Sequence, residues 1–567
     1  MNEISSKHDE SRIPLTIPSP EQYRFAEPDT EDNIVFENYT SVFGNPIVRS
    51  ATLTKLVERL TYPSYTDLEC IKMFMITYRS FCSPPELLSL LIERFNVPTP
   101  KTFQQPYVTY NRSTVGYISC IRSPVVRHTK VQPCLNKSYS LYYETPAFYT
   151  FQNDYKQPIQ LRVLAILNLW VTYHYYDFTT NPTLLDRLKD FLNGDYGKIR
   201  FMPKQKVWCE KIQEKIKKKQ EVYDIVPPTP TLTNSSTEAR SPTQKNIPKT
   251  LWDRAKPGQI ERYHLKSLHP VEIARQLTLL HFSMYRAIKP PELVGAVFNQ
   301  SDKHVRSPQL QKFIDHINDL SFWVARCIIE AETLKERIGL LSRILEVMTE
   351  FEKLNNFTGL MAFFSALSLQ PIYRLSETKS KLVKKSREQL ANFTKVLSDA
   401  HHKGIIERLH SINPPCVPFF GIYLSKIVFV EAGYSTFVKL NQRPPTDKDA
   451  EIYGSRQHIS FKKCRRIGRI IREIQMYQDQ PYMYVVEPTI RKFFENIRPL
   501  NNFRNQQEFE DYLYAQSYKI EPVSPNNKFA NRSVKVHSQA EKVEMVAANL
   551  EKTGRDIFKK KIRTKFL

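Results

Sequence analysis

Glycine is scarce in this sequence: 14 residues in 567, well under the roughly 7% typical of proteins. No GxGxxG and no GxxxxGK[ST] occurs, and the nearest approach, "NGDYGK" at 193–198, is too short to wrap a phosphate. Nucleotide binding through a glycine-rich loop of the chain's own is therefore not expected. The eight cysteines are never closer than twelve residues, the separation of Cys70 and Cys82. That spacing leaves no CxxC zinc ribbon, argues against a disulfide framework and points to a reducing, cytoplasmic compartment. Long apolar runs are missing too. The most apolar helical stretch, "QLRVLAILNLWVTYHYY" (160–176), contains Gln, Arg, Asn and His, so it reads as a buried core helix rather than a membrane span. The N-terminus is polar with no signal-peptide core, and the C-terminal "TKFL" has no prenylation cysteine. HExxH, GxSxG and convincing carboxylate pairs are absent. His401 and His402 are adjacent, and on a helix adjacent side chains diverge by about 100°, so they do not share a ligand. No catalytic residue for covalent chemistry, no metal and no cofactor is expected.

What is present in excess is positive charge. Lys and Arg number 82 against 58 Asp and Glu, a net +24, which favours an acidic partner or an anionic surface. Zinc, RNP or OB-type signals are lacking, so nucleic acid is not the expected partner. Residues 1–20 read as disordered. In "SPPELLSLLIERF", Ser83 is placed to cap a helix whose apolar face is Leu87, Leu88, Leu91, Ile92 and Phe95. Residues of about 98–157, rich in Pro, Thr, Ser, Tyr and Asn, read as an inserted loop, and helical patterns resume at 158–192 and 203–220. The stretch 226–250 is a linker dense in Pro, Ser and Thr. Amphipathic helices then follow almost without break. Ile273, Leu277, Leu280, Met284 and Ile288 share one face, and Ile338, Leu341, Leu345, Met348 and Phe351 share another. "YMYVVE" is a short strand at most. The expected fold is mainly α: a helical N-terminal domain over 21–225, a second all-helical domain over 251–520, and a basic tail over 521–567.

One stretch stands out. "INPPCVPFFGIYLSKIVFVEAGYS" (412–435) enters through prolines, continues as an apolar run from Ile422 to Val430 broken by Ser425 and Lys426, and stops at Gly433. A stiffened, short apolar element suits a wedge that pushes into another protein.

The stretches "EQYRFAEPDTEDNIVFE" (21–37), "QPIQLRVL", "HPVEIARQLTLL", "LNNFTG", "SINPPCVPFFGIYL", "YQDQPY" and "IRKFFEN" together resemble the Ras guanine-nucleotide exchange factors, in the same order along most of the chain. The resemblance implies an N-terminal Ras-exchanger-motif domain and a helical catalytic domain with a protruding helical hairpin. In the family that hairpin inserts beside the nucleotide of a Ras-type small GTPase and favours its nucleotide-free state. Ser425 stands at the hairpin's small hydroxyl position and Val428 where the family offers a leucine to the magnesium site. Ala432 stands where the family has a glutamate near the phosphates, with Glu431 one residue before it. For the pocket that grips the second switch region the counterparts are Ile314, Met361, Tyr373, His402 and Phe419. His402 replaces a tyrosine, while nearby Asp315 replaces an arginine and Phe298 a tryptophan. A distal site for a GTP-loaded Ras would be carried by Leu161, Arg162 and Trp208, with Asn168 in place of an arginine. Ala432 and Asp315 keep an alternative open, a GTPase-binding module that does not promote release. The tail segment 551–567, with seven Lys or Arg and interspersed Ile and Phe, adds an expected contact with anionic lipid at the plasma membrane.

Overall fold

The computed structural model describes residues 15–103, 146–195, 199–225, 248–399, 402–438 and 457–522. Most of the expected linker, His401, most of the 98–157 insertion and nearly all of the basic tail lie outside these residues. The chain forms two compact units, and neither is continuous in sequence. The first comprises residues up to Ile71, Cys82–Ile225 and Val438–Ile459; the second comprises Lys72–Phe81, Val226–Phe437 and Ser460 onward.

The first unit is helical but opens with a β-hairpin. Strand β1 (Ile34–Thr40) pairs antiparallel with β2 (Pro46–Ala51). The short strand His458–Ile459 adds to β2, with Ile459 opposite Ala51. His458 is fully buried there, its Nδ1 3.3 Å from Ser50 Oγ and its Nε2 2.8 Å from the Asp32 carbonyl. Helix α1 (Leu53–Leu60) starts at Thr52, whose hydroxyl accepts from Lys55 N–H. Helix α2 (Leu68–Thr77) is divided, its first turn counted with this unit and the remainder with the other.

Helix α3 (Pro84–Phe95) carries the expected Ser83 cap, completed by Glu86 into a reciprocal capping box, and all five residues of its anticipated face are buried. The 160–176 run falls largely in α4 (Gln157–Tyr173), a core helix centred on the fully buried Trp170. Helical structure begins earlier than the sequence pattern indicates, at Pro146–Thr150 and a wide turn Phe151–Lys156. Phe151 is completely buried, anchoring a polar segment whose composition resembles a loop. Helix α5 (Pro182–Asn193) ends at Gly194 with φ +85°, and an added Cβ there would sit 2.7 Å from the Ile199 carbonyl oxygen. Helix α6 (Pro203–Ile225) packs along α4.

The second unit is, among the described residues, predominantly helical around one core. Helices α7 (Pro270–Ala287), α8 (Pro308–Ile329), α9 (Leu334–Lys353) and α10 (Phe357–Ser368) pack on one another. The anticipated apolar faces of α7 and α9 point into that core. Helix α11 (Gly421–Gly433) packs on α12 (Phe461–Gln478), and α13 (Gln506–Ile520) closes the unit against α8. The backbone of α12 runs so close to residues 72–81 that a Cβ on Gly468 would lie 2.5 Å from Met73 Sδ. The "YMYVVE" segment forms no strand; its backbone is held instead by the Gln276 amide, which bonds the Val485 carbonyl at 2.8 Å and Glu487 N–H at 2.9 Å. Among the described residues no helix is long and apolar enough to cross a membrane.

Candidate functional site

Two short motifs build the frame of the site. In "LNNFTG", Asn355 takes a left-handed φ of +53° and turns the chain out of α9. Asn356, with no exposed surface, caps α10: its Oδ1 accepts from Gly359 N–H at 2.9 Å. That bond fixes the amide nitrogen toward Thr278 Oγ1 (2.9 Å) and His281 Nδ1 (3.1 Å). An added Cβ on Gly359 would meet the Phe351 ring at 2.8 Å, so only glycine fits without displacement. The proline segment then docks alongside. Phe357 N–H bonds the Val417 carbonyl at 2.9 Å, Val417 N–H the Asn355 carbonyl at 3.1 Å, and the Thr358 hydroxyl the Pro418 carbonyl at 2.6 Å. The two motifs thereby fix both α10 and the start of α11 from one point.

The candidate residues hang on this frame. Ile314 on α8 and Met361 on α10 come from helices packed directly together, and Tyr373 ends the short helix Gln370–Tyr373, which packs on both. Ile314 is half-buried and Met361 buried, whereas Tyr373 is 62% exposed. Phe419 is buried beneath the His402 ring, centroids 4.9 Å apart and edge-on. His402 sits at φ +53° immediately before the helix Lys403–Ser411. Asp315 is exposed on α8 and accepts from Gln311 at 2.8 Å. One turn on, burial raises the Asp319 carboxyl to about 6. Phe298 is buried in the core.

Helix α11 divides its residues sharply. Ile422, Tyr423, Leu424, Ile427, Val428 and Val430 are buried, while Phe429 is 56% exposed. Val428, expected to face outward, is turned inward, because a step of about 100° per residue puts it in phase with Leu424 and Ile427. The outward stripe is Ser425, Phe429 and Ala432 at spacings of four and three, with Ser425 half-buried and Ala432 exposed. Phe429 was not among the residues the sequence singled out, and the phase of the apolar run about Ser425 is the signal that could have found it. Glu431 does not face a free surface. Its carboxylate pairs with Lys463 Nζ at 2.5 Å and accepts Gly295 N–H at 3.1 Å, tying α11 to α12 and to the 294–299 turn. Gly295 and Ala296 both have positive φ there, leaving the Gly295 N–H directed outward from the turn.

In the first unit Leu161 and Arg162 lie half-buried on α4 and Trp208 half-buried on α6, on two helices that pack together. Burial lowers the Arg162 guanidinium from its usual range, and one of its terminal nitrogens is enclosed without a hydrogen-bond partner among the described residues. The Asn168 side-chain oxygen is enclosed and unpartnered in the same way. Lys211 lies over the Trp208 ring at 5.3 Å.

A family model of the RasGEF domain matches residues 272–465, and a model of the RasGEF N-terminal motif matches 47–191. The chain belongs to the Ras guanine-nucleotide exchange factor family. The first match contains every candidate on α8, α10 and α11; the second contains Leu161 and Arg162 but stops before Trp208. The chain is 42% identical to a Son of sevenless homolog from Caenorhabditis elegans over 91% of its own length and 36% of that protein. It is 37% identical to Protein son of sevenless from Drosophila melanogaster, covering 92% of this chain and 29% of that one. With Ras guanine nucleotide exchange factor A from Dictyostelium discoideum the identity is 28%, over 84% and 66% respectively. The chain thus spans about a third of the length of the two son-of-sevenless relatives.

Proposed function

We propose that the chain promotes GDP release from a Ras-type small GTPase by binding and not by bond chemistry. The observation that carries the reading is the outward face of α11: an apolar helix, anchored at its start by the Asn356 frame and near its end by Glu431, that holds one large apolar side chain, Phe429, out of the core. Inserted beside a bound nucleotide, this face would stabilise the nucleotide-free GTPase. Linkage then requires that nucleotide weaken the exchanger by the same factor by which the exchanger weakens nucleotide. An apolar side chain in the magnesium site withholds the oxygen ligands that the ion demands. With Val428 turned inward, Phe429 is the residue on this helix able to supply that contact. Tyr373, Ile314, Met361, His402 and Phe419 would grip the second switch region.

Leu161, Arg162 and Trp208 would form a distal site for a GTP-loaded Ras. All three side chains are half-buried on helices that pack together, so each keeps part of its surface open to a partner. The tail segment 551–567 would hold the chain at an anionic leaflet of the plasma membrane. A second reading, a GTPase-binding module without exchange activity, is favoured by Ala432 and by the engagement of Glu431 with Lys463, which together leave the outward stripe without an acidic group to repel phosphate.

The deciding experiment is release of a fluorescent GDP analogue from Ras, with and without the chain. Faster release is the expected result. Unchanged release from a complex that demonstrably forms would establish the binding module instead.

A further inference from the structure

The β1–β2 hairpin has a feature that nucleotide exchange does not use. Its base is rooted in the core, with Ile34, Val48 and Ala51 buried. Its tip is the reverse: Val42 is 99% exposed, Phe43 88% and Tyr39 62%. This is a built turn. Ser41 N–H bonds the Asn45 carbonyl at 2.9 Å, Gly44 N–H the Ser41 carbonyl at 2.9 Å, and Asn45 N–H the Ser41 hydroxyl at 3.0 Å, with Gly44 at φ +77°. Thr40 and Pro46 pair just behind it. Residues 38–48, "NYTSVFGNPIV", contain no side chain charged at neutral pH in a chain whose net charge is +24.

We infer that this tip is a membrane-contacting element that dips Val42 and Phe43 into the headgroup–acyl boundary of an anionic bilayer. Three arguments select a bilayer over a protein. Two adjacent side chains on a convex turn offer far less than the roughly 800 Å² per partner of a specific protein interface, whereas a bilayer accepts a protrusion without a shaped pocket. An uncharged tip enters the boundary without desolvating any charge, and its own hydrogen bonds already satisfy three N–H groups that would otherwise lose water. The net charge of +24 draws the chain as a whole toward an anionic leaflet, but residues 21–37 beside the hairpin carry six carboxylates against Arg24 alone, so the contact of the tip itself rests on Val42 and Phe43. Tyr39, on the strand just behind the tip, has the amphipathic character favoured at the headgroup level. The inference does not depend on the exchange reading.

The test is co-sedimentation of the full chain with phosphatidylcholine vesicles, with and without phosphatidylserine, at low and high salt. The native chain should bind the phosphatidylserine vesicles and keep part of that binding at high salt. The Val42→Ser/Phe43→Ser variant should lose the salt-resistant part and bind roughly tenfold more weakly, since interfacial affinity scales with inserted apolar area. Its thermal midpoint should stay native, because both side chains are already in water. Equal binding of the two chains, or no binding by the native one, overturns the inference. Phe43→Trp gives an independent reading: after subtraction of the native spectrum, its emission should shift to the blue on adding vesicles, and an unshifted spectrum is equally decisive against insertion.

Discussion

Replacing Asn356 with alanine tests the frame on which the second unit's site is built. The side chain satisfies three groups at once: the Gly359 N–H at the start of α10, the Thr278 hydroxyl and His281 Nδ1. Losing the cap alone costs about 0.5–2 kcal/mol. His281 has no exposed surface and its Nε2 is already without a partner among the described residues, so the substitution strips its ring of the Asn356 bond as well. An abandoned buried polar group costs roughly 1–3 kcal/mol. Together these put the loss at about 2–4 kcal/mol, or on the order of 10 °C in thermal midpoint for a unit of this size. Asn356→Asp separates the contributions, since aspartate is an equally good cap acceptor but cannot donate to His281. If the whole network matters, the aspartate chain remains strongly destabilised; if capping is the entire role, it melts like the native protein. Because the neighbours Asn355, Phe357 and Thr358 hold the proline segment leading into α11, loosening the cap disturbs that docking too, and on the exchange reading GDP release from Ras should slow in both variants. A midpoint within about 2 °C of native for Asn356→Ala would refute the argument.

The paired variants Phe429→Ala and Val428→Ala should behave oppositely. The first should lower exchange with an unchanged melt; the second should lose about 1–3 kcal/mol of stability, and a reversal would mean that the helix is rotated from the orientation described. Gly468→Ala should destabilise by about 1–3 kcal/mol through its clash with Met73, whereas a helix with room there would gain about 1 kcal/mol from the better propensity; chemical denaturation gives the sign. Burial holds His281 and His316 below the ordinary histidine range, His316 at about 4. The unfolded chain therefore takes up these protons first as pH falls. Stability is fully present above about 6.5 and is lost progressively down to about 4, by roughly 3 kcal/mol for His316 alone. Urea unfolding of His316→Gln should show a shallower decline between pH 7 and 5, and equal slopes would contradict the burial argument.

Periodicity located the helices that bury a full apolar face, α3 in the first unit and α7 and α9 in the second. It missed Pro146–Lys156, which is anchored by only two buried aromatic side chains, Phe151 and Tyr155. It gave no warning of the β-hairpin, whose strands hold few buried residues. At the candidate site, the resemblance named residues of α11 but carried no information on the phase of that helix. Whether Val428 or Phe429 faces outward is decided by how the helix seats on α12, a tertiary contact that single-residue matching does not encode. Glu431 could be read as a free acid until Lys463, more than thirty residues away, was found against it. By contrast "LNNFTG" was legible as a motif, and each of its unusual residues has a local cause: a left-handed turn, a cap, a docking hydroxyl and a missing Cβ.

The two units exchange chain: residues 72–81 are counted with the second and 438–459 with the first. Followed from its start, the polypeptide passes from one unit to the other and back more than once before it ends. A single cut in the 226–250 segment therefore frees neither unit whole. A fragment beginning after it would lack the α2 turns against which Gly468 is moulded, and one ending before it would lack the strand that covers Ala51. Ribosomal synthesis faces the same constraint. The N-terminal unit cannot complete its sheet until most of the second unit's residues have been made.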